Sequence, residues 1–150
     1  MVATFLSDDV INSKELRDNL KQWFEKAYIN PVSIRSGDKK LVLLNREHAK
    51  DMYLLNHYSK MIIQFCQEQN SGQINRSVAF PWIRHLSEKA IAEFRKELLS
   101  TFEDVIHNRN WLALEEMIGA WIATAEAMTN PEMVELLGSD LNSEEFTRVE

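Results

Sequence analysis

The order of elements in residues 10–53 constrains the fold of this chain more than any other feature. Asn12 and Glu15 have the spacing of a helix-capping box, in which each side chain accepts a hydrogen bond from the other residue's backbone N–H. Apolar residues then recur at helical spacing and predict one buried stripe, formed by Leu16, Leu20, Trp23, Phe24 and Ala27. The stripe ends at Asn30, because the residue before a proline is disfavoured in a helix. We therefore expect an amphipathic helix between Asn12 and Asn30.

A β-hairpin is predicted directly after this helix. Val32 and Ile34 alternate with polar residues, which is the period of a half-buried strand. Residues 36–38, Ser-Gly-Asp, supply a tight turn, and the continuous apolar run over residues 41–44 is typical of an inner strand. Residues 10–11 offer a third strand. Since three short strands and a helix barely form a core, we expect this part of the chain to dimerise.

The remaining two thirds of the chain is predicted to be helical. A second helix, capped by Asn45, runs toward Gln69, and the polar residues 67–81 connect it to the C-terminal region. Two amphipathic patterns cover residues 83–106 and 111–128, and a short helix through residue 137 ends at Gly138. The predicted fold class is thus α+β. Residues 1–66 form a short β-sheet with flanking helices, 67–81 a connection, and 82–150 a helical region.

Charge is distributed unevenly along the chain. Residues 1–60 contain ten Lys/Arg and eight Asp/Glu, whereas residues 61–150 contain seven and fifteen. A weakly basic N-terminal part and an acidic C-terminal part suggest two surfaces with different partners, although an uneven distribution can also arise without function. No apolar run approaches the roughly 20 residues of a membrane helix, and no basic leader precedes residue 10. We therefore expect a cytoplasmic protein that does not associate with membranes.

The residue types that carry enzyme chemistry are scattered. Four histidines lie apart from one another, and Cys66 is the only cysteine, which excludes an internal disulfide and favours a buried structural thiol. Four glycines form no phosphate-binding loop, and no serine occupies a strand–turn–helix elbow. The sequence therefore predicts a binding protein and not an enzyme, with no metal ion and no cofactor.

Basic side chains mark the one surface that suggests binding. Lys14, Arg17 and Lys21 share one exposed face of the predicted first helix, Arg35 follows on the first hairpin strand, and Lys39 and Lys40 lie at the turn. Such an arrangement can neutralise DNA phosphates, and an arginine can also read a guanine edge. The alternative is an ordinary solvated face, because acidic residues are interleaved among the basic ones.

These motifs, taken in order, resemble the N-terminal domain of the Phd/YefM (prevent-host-death) antitoxin family. The family shows a Ser-x-x-x-Arg-x-Asn-Leu helix and then a Pro-Val-x-Ile-Thr-Arg-x-Gly hairpin. The matching positions in this chain are Ser13, Arg17, Asn19, Leu20, Pro31, Val32, Ile34, Arg35 and Gly37. The resemblance covers about residues 8–56. The family's threonine before the arginine is absent here, so Arg35 is one residue closer to Ile34 than in the family pattern.

The resemblance implies an antitoxin of a type II toxin–antitoxin system. Such a protein is a homodimer that binds operator DNA, represses its own operon and neutralises a cognate toxin through its C-terminal helices. The implied DNA-binding residues are Ser13, Lys14, Arg17, Lys21, Arg35 and Lys39. The implied toxin-binding residues are Trp111, Trp121, Ile122 and Met128. The alternative for this region is that its aromatic and leucine stripes form the core of a helical bundle and not an interface. The alternative is a helical interaction or scaffold protein that keeps an antitoxin-like dimer but does not bind DNA.

Overall fold

A computed structural model of the protein describes residues 10–132, 134 and 135. These residues divide into two compact units, one that ends at Leu54 and one that begins at Leu55. The division falls within a long helix, α3 (Arg46–Asn70), whereas the connection was predicted at residues 67–81. The described part of the chain is mixed α+β, as expected.

The first unit contains a three-stranded sheet and two short helices. Its elements in chain order are β1 (Val10–Asn12), α1 (Ser13–Asp18), α2 (Leu20–Ile29), β2 (Val32–Ser36) and β3 (Lys39–Leu43). The strand order is β1-β2-β3, with β1 parallel to β2 and β2 antiparallel to β3. The third strand expected at residues 10–11 is therefore present, and both β1 and β3 are edge strands of this sheet.

The predicted first helix is present but is interrupted at one residue. Asn12 Oδ1 accepts the Glu15 N–H at 2.8 Å and Glu15 Oε2 accepts the Asn12 N–H at 2.8 Å, which confirms the capping box. Asn19 has a φ of −133° and a ψ of 44° and separates α1 from α2. The helical hydrogen bonds from Asn19 N to Glu15 O and from Trp23 N to Asn19 O still form. Asn19 therefore ends one helix and begins the next while its own N–H and carbonyl stay bonded.

The hairpin turn agrees with the sequence. Gly37 and Asp38 form a two-residue loop between β2 and β3, and Gly37 has a φ of 61°. A positive φ is accessible to glycine without the steric cost that a side chain would add. A two-residue loop with glycine first is a favoured way to join antiparallel strands, because its twist matches theirs. The turn fixes the register in which Ser36 faces Lys39.

The core of the first unit is small. Ile11, Ala27, Val32 and Ile34 are buried, and three partly buried residues, Leu16, Trp23 and Leu43, pack against them. The predicted buried stripe is wrong at two positions, since Leu20 and Phe24 are about half exposed. The inner-strand prediction for residues 41–44 is also wrong, because β3 is an edge strand and Leu41 is 56% exposed. A single unit of this size offers too little opposing surface to cover these residues.

The second unit consists of helices around an aromatic core. It contains the C-terminal part of α3, a 3-10 helix (Pro81–His85), α4 (Glu88–Asn108) and α5 (Trp111–Ala127). The single helix expected over residues 83–106 is in fact two segments. Ser87 caps the start of α4 by accepting the Ala90 N–H at 3.2 Å. Residues 131, 132, 134 and 135 are helical, and the predicted helix end at Gly138 lies outside the described residues.

Interlocking rings fill the core of this unit. Phe94 is fully buried, and its ring lies within 6 Å (centroid to centroid) of four other aromatic rings, those of Phe65, Phe80, Trp82 and Trp121. Most of these pairs meet edge to face, the geometry that aromatic quadrupoles prefer. Cys66 is only partly buried, so the expectation of a buried thiol is wrong.

Candidate nucleic-acid interface and partner surfaces

The structure brings the start of α1 and the hairpin to the same end of the sheet. Asn12 is both the N-cap of α1 and the register partner of Arg35 across the parallel β1/β2 pair. Ser13 and Lys14 follow Asn12 directly and are exposed in the first turn of α1. Arg35 is paired on its other side with Lys40 of β3. The capping box and the strand register therefore place Ser13, Lys14 and Arg35 close together, although they are distant in sequence.

Strand alternation decides which basic side chains share a face of the sheet. Ile34 is buried against the helices, so its neighbour Arg35 points to the opposite face. Lys40, the partner of Arg35, lies on that face as well, whereas Lys39 pairs with Ser36 and lies on the other. The structure therefore separates Lys39 from Arg35 and places Lys40 beside Arg35. The sequence predicts Lys39 and Lys40 together at the turn, and the two-residue turn fixes the register that places them on opposite faces of the sheet.

Two like charges directly opposite each other on an antiparallel pair repel. Arg35 and Lys40 form such a pair and are both exposed, and neither makes an ion pair or a side-chain hydrogen bond with any residue the structure describes. An anion that binds between them would relieve the repulsion. A phosphate group is suitable, because a guanidinium presents its donors in a fork that matches two phosphate oxygens.

Arg17 and Lys21 belong to a second part of the predicted basic surface, on α1 and α2. Both line a shallow surface depression of about 610 Å³ together with Asp18 and Glu25. Arg17 Nε is 3.5 Å from Asp18 Oδ1, and both side chains are largely exposed. Exposed pairs of this kind contribute little to stability, so a phosphate can replace the aspartate. The acidic residues reduce the positive potential here, and this depression is the weaker half of the predicted basic surface.

Apolar side chains form a second surface on the first unit. Phe24, Tyr28, Leu43 and Leu44 line a groove of about 250 Å³ beside Asn45. Tyr28 is 71% exposed, although aromatic rings gain most from burial. Further exposed large apolar residues of this unit are Val10, Leu20, Ile29, Leu41, Val42, Met52 and Tyr53. An exposed apolar groove on the surface of a domain marks an interaction site.

The four residues predicted to bind a toxin do not form one exposed surface. Trp111 is 5% exposed and stacks on Tyr58 with ring centroids 6.0 Å apart, so burial removes it from the surface that a partner can reach. Trp121 is partly buried, and its indole N–H donates to Glu97 Oε2 at 2.7 Å. Ile122 is partly buried, and Met128 is 44% exposed. The helical periodicity that suggested an interface belongs mainly to the core.

Tyr58 and Glu115 join α3 to α5 within the second unit. The Tyr58 hydroxyl donates to Glu115 Oε1 at 3.4 Å. Partial burial raises the pKa of Tyr58, and the nearby Glu115 carboxylate raises it further. The phenol therefore stays neutral over the ordinary pH range and acts as a hydrogen-bond donor, while its ring stacks on Trp111.

The described residues offer neither a metal-binding cluster nor a membrane-spanning helix. They contain no group of three or more His, Cys, Asp or Glu side chains that could hold a metal ion. Across the same part of the chain, no helix is both long and apolar enough to span a membrane. No protein-family model, curated protein or solved structure matches this chain.

Proposed function

We propose that this protein is a type II antitoxin of the Phd/YefM kind, which binds operator DNA as a homodimer and represses its own operon. The observation that carries the proposal is the basic end of the first unit. There, the start of α1 and the Arg35–Lys40 pair present cations without acidic partners among the described residues. The operator DNA and the toxin are proposed as the binding partners because of the family resemblance. A cytoplasmic location follows, because the operator is in that compartment.

Dimerisation is supported by the apolar surface of the same unit. The groove at Phe24 and Tyr28 and the apolar edge strand β3 leave large side chains in water. A second copy of the chain would cover them, and two-fold symmetry is the commonest form of homodimer. A two-fold dimer would present two basic ends and would match a palindromic operator.

Toxin neutralisation is assigned to the second unit on its charge. Residues 55–135 contain eleven Asp/Glu and seven Lys/Arg, which suits a basic partner. Met128 is the most exposed of the four residues predicted to bind a toxin and lies at the C-terminal end of α5, where it offers an apolar contact. We propose the surface at this end of α5 as the toxin site, in place of the buried Trp111.

Fluorescence anisotropy with DNA from the region upstream of the gene tests the proposal. Each phosphate contact adds about 0.9 to the slope of log affinity against log salt concentration. We expect Arg35→Gln and Arg17→Ala each to weaken binding and to lower this slope by about one unit. Lys89→Gln, which removes one charge from the second unit, is the matched control and should leave the slope unchanged.

If Arg35→Gln leaves the slope of log affinity against log salt concentration unchanged, the basic end of the sheet is not part of the DNA-binding site. The alternative function, a scaffold protein built on the same dimer, is favoured by one observation: Asp18 and Glu25 lie beside Arg17 and Lys21. A dimer with no preference for upstream over scrambled DNA would support that alternative. The titration is then repeated with the protein encoded by the adjacent gene, since some repressors need their toxin to bind.

A further inference from the structure

A surface depression of about 690 Å³ lies in the second unit, outside every site predicted from the sequence. Its lining consists of Asn75, Arg76, Ser77, Pro81 and Arg84. The first three residues belong to the loop after α3, and the last two to the 3-10 helix. A volume of this size is within the range of about 300–1,000 Å³ that is typical of small-molecule sites.

Hydrogen bonds from α3 hold the loop that forms this depression. Glu68 Oε1 accepts the Val78 N–H at 3.0 Å, and the Gln69 side-chain amide donates to the carbonyls of Gln73 and Ile74 at 3.3 and 3.1 Å. The Ser77 hydroxyl oxygen accepts the Phe80 N–H at 2.9 Å. Asn75 and Arg76 therefore lie on a loop that is fixed on both sides of them.

Three hydrogen-bond donors in the lining are available to a ligand. The Asn75 amide and the Arg76 guanidinium make no side-chain hydrogen bond or ion pair with the described residues. Arg84 Nε donates to His85 Nε2 at 3.1 Å, which leaves both terminal nitrogens of Arg84 free to donate. No carboxylate lines the depression; Glu68, which lies on α3 and secures the loop, accepts from the Val78 N–H and the Gln64 amide through Oε1.

The two arginines lie in a part of the chain that is acidic overall. The second unit is acidic, yet this depression is lined by two guanidinium groups and no acid. Guanidinium groups that face one opening repel each other unless an anion lies between them. Arginine binds phosphate oxygens in pairs, and a primary amide donates to the same kind of oxygen.

We propose that this depression binds a phosphate group, held by Arg76 and Arg84 with Asn75 as a third donor. No aromatic side chain lines the depression, so nothing there stacks on a nucleobase, and recognition is of the phosphate itself. The phosphate could belong to a small phosphorylated molecule or to a nucleic-acid backbone. The site uses no residue of the proposed operator-binding surface, so its test is independent of the proposed function.

Isothermal titration calorimetry of the full chain with pyrophosphate tests the proposal. We expect saturable binding that Arg76→Gln and Arg84→Gln each weaken about tenfold, because a charge-assisted hydrogen bond contributes about that factor. Lys89→Gln makes the same charge change on α4 of the same unit and should bind as the wild type does. Amide NMR shifts on titration should be largest at residues 75–77 and 84.

A second arm identifies the source of the phosphate. Short single-stranded DNA is added to the pyrophosphate complex of the Arg35→Gln variant, in which the proposed operator surface is weakened. Release of pyrophosphate assigns the site to a nucleic-acid backbone, and no release assigns it to a small molecule; either result supports a phosphate site. The proposal is overturned if binding does not saturate, if Lys89→Gln weakens it as much as Arg84→Gln, or if the NMR shifts lie elsewhere.

Discussion

The two units differ in how much of their apolar surface each can bury alone. In the described part of the chain, thirteen apolar residues are buried in the second unit and four in the first. The second unit covers its rings with its own helices, whereas the first leaves Phe24, Tyr28 and Leu41 at least half exposed. The core of the first unit is therefore incomplete within one chain, whereas the core of the second unit is complete, and the proposed dimer would cover the exposed residues of the first unit.

The same two units differ in charge as well as in packing. In the first unit, basic side chains gather at one end of the sheet, where Lys14 lies at the start of α1 and Arg35 and Lys40 lie on the hairpin. The second unit is acidic overall, and two of its arginines, Arg76 and Arg84, line one depression that has no acidic residue in its lining. A protein that must attract DNA at one place and a basic partner at another needs this separation, because opposite charges on one surface would cancel.

The largest effect is expected from Phe94→Ala in the core of the second unit. Phe94 is fully buried among four aromatic rings, and truncation of such a residue costs about 3–5 kcal/mol. Urea unfolding should show this loss at every protein concentration, because the core is complete within one chain. Phe102→Ala, on the same helix but only partly buried, is the control and should cost less. If both variants lose the same free energy of unfolding, the aromatic cluster around Phe94 is not the main core of this unit.

A smaller but concentration-dependent effect is expected from Phe24→Asp in the first unit. A charge in the apolar groove should weaken the dimer about tenfold or more, as removal of an aromatic anchor from an interface does. Sedimentation velocity over a dilution series measures the shift toward monomer. Leu112→Asp introduces the same charge at an exposed apolar residue of the second unit and should leave the dimer intact. If the dimer persists in Phe24→Asp, the groove of the first unit is not the surface that a second chain covers.

Asn12→Ala should destabilise the first unit by about 1 kcal/mol, the usual cost of a lost helix cap. The substitution removes the acceptor for the Glu15 N–H and leaves the start of α1 beside Arg35 without its anchor. The NMR signal of the Trp23 indole, the one tryptophan of this unit, reports its thermal unfolding. Asn30→Ala, whose side chain makes no hydrogen bond with the described residues, is the comparison. If both variants melt alike, the capping box does not secure the basic end of the sheet.

The smallest effect is a pH dependence confined to the second unit. Partial burial acts to raise the pKa of Glu68, but hydrogen bonds from Ser77, from the Val78 N–H and from Gln64 lower it below its ordinary value. A carboxyl whose folded pKa is lowered stabilises the fold above the unfolded pKa of about 4.3 and loses this contribution as the pH falls through the folded pKa. The melting temperature should therefore fall less between pH 6 and pH 3 in Glu68→Gln than in the wild type. Glu93→Gln, at an exposed position on α4, should show the same decrease as the wild type.

Much of the local structure follows from the sequence because the signals act over short distances. The capping box needs only Asn12 and Glu15, and the hairpin turn needs only Gly37 and its neighbours. The strands at Val10 and Val32 and the helix from Arg46 follow from alternation and helical spacing. In each of these cases a few adjacent residues satisfy their own hydrogen bonds, so distant parts of the chain have little influence.

Tertiary structure decided what pairs and what is buried. Spacing assigned Leu20, Phe24 and Trp111 the same apolar pattern, but only the packing of the chain buries Trp111 and leaves the other two exposed. The strand register made Lys40, and not Lys39, the neighbour of Arg35, and the loop after α3 brought Arg76 to Arg84. Periodicity names one face of an element, whereas burial depends on whether another element of the same chain can reach that face. That choice is made by contacts between residues far apart in sequence, which no local pattern contains.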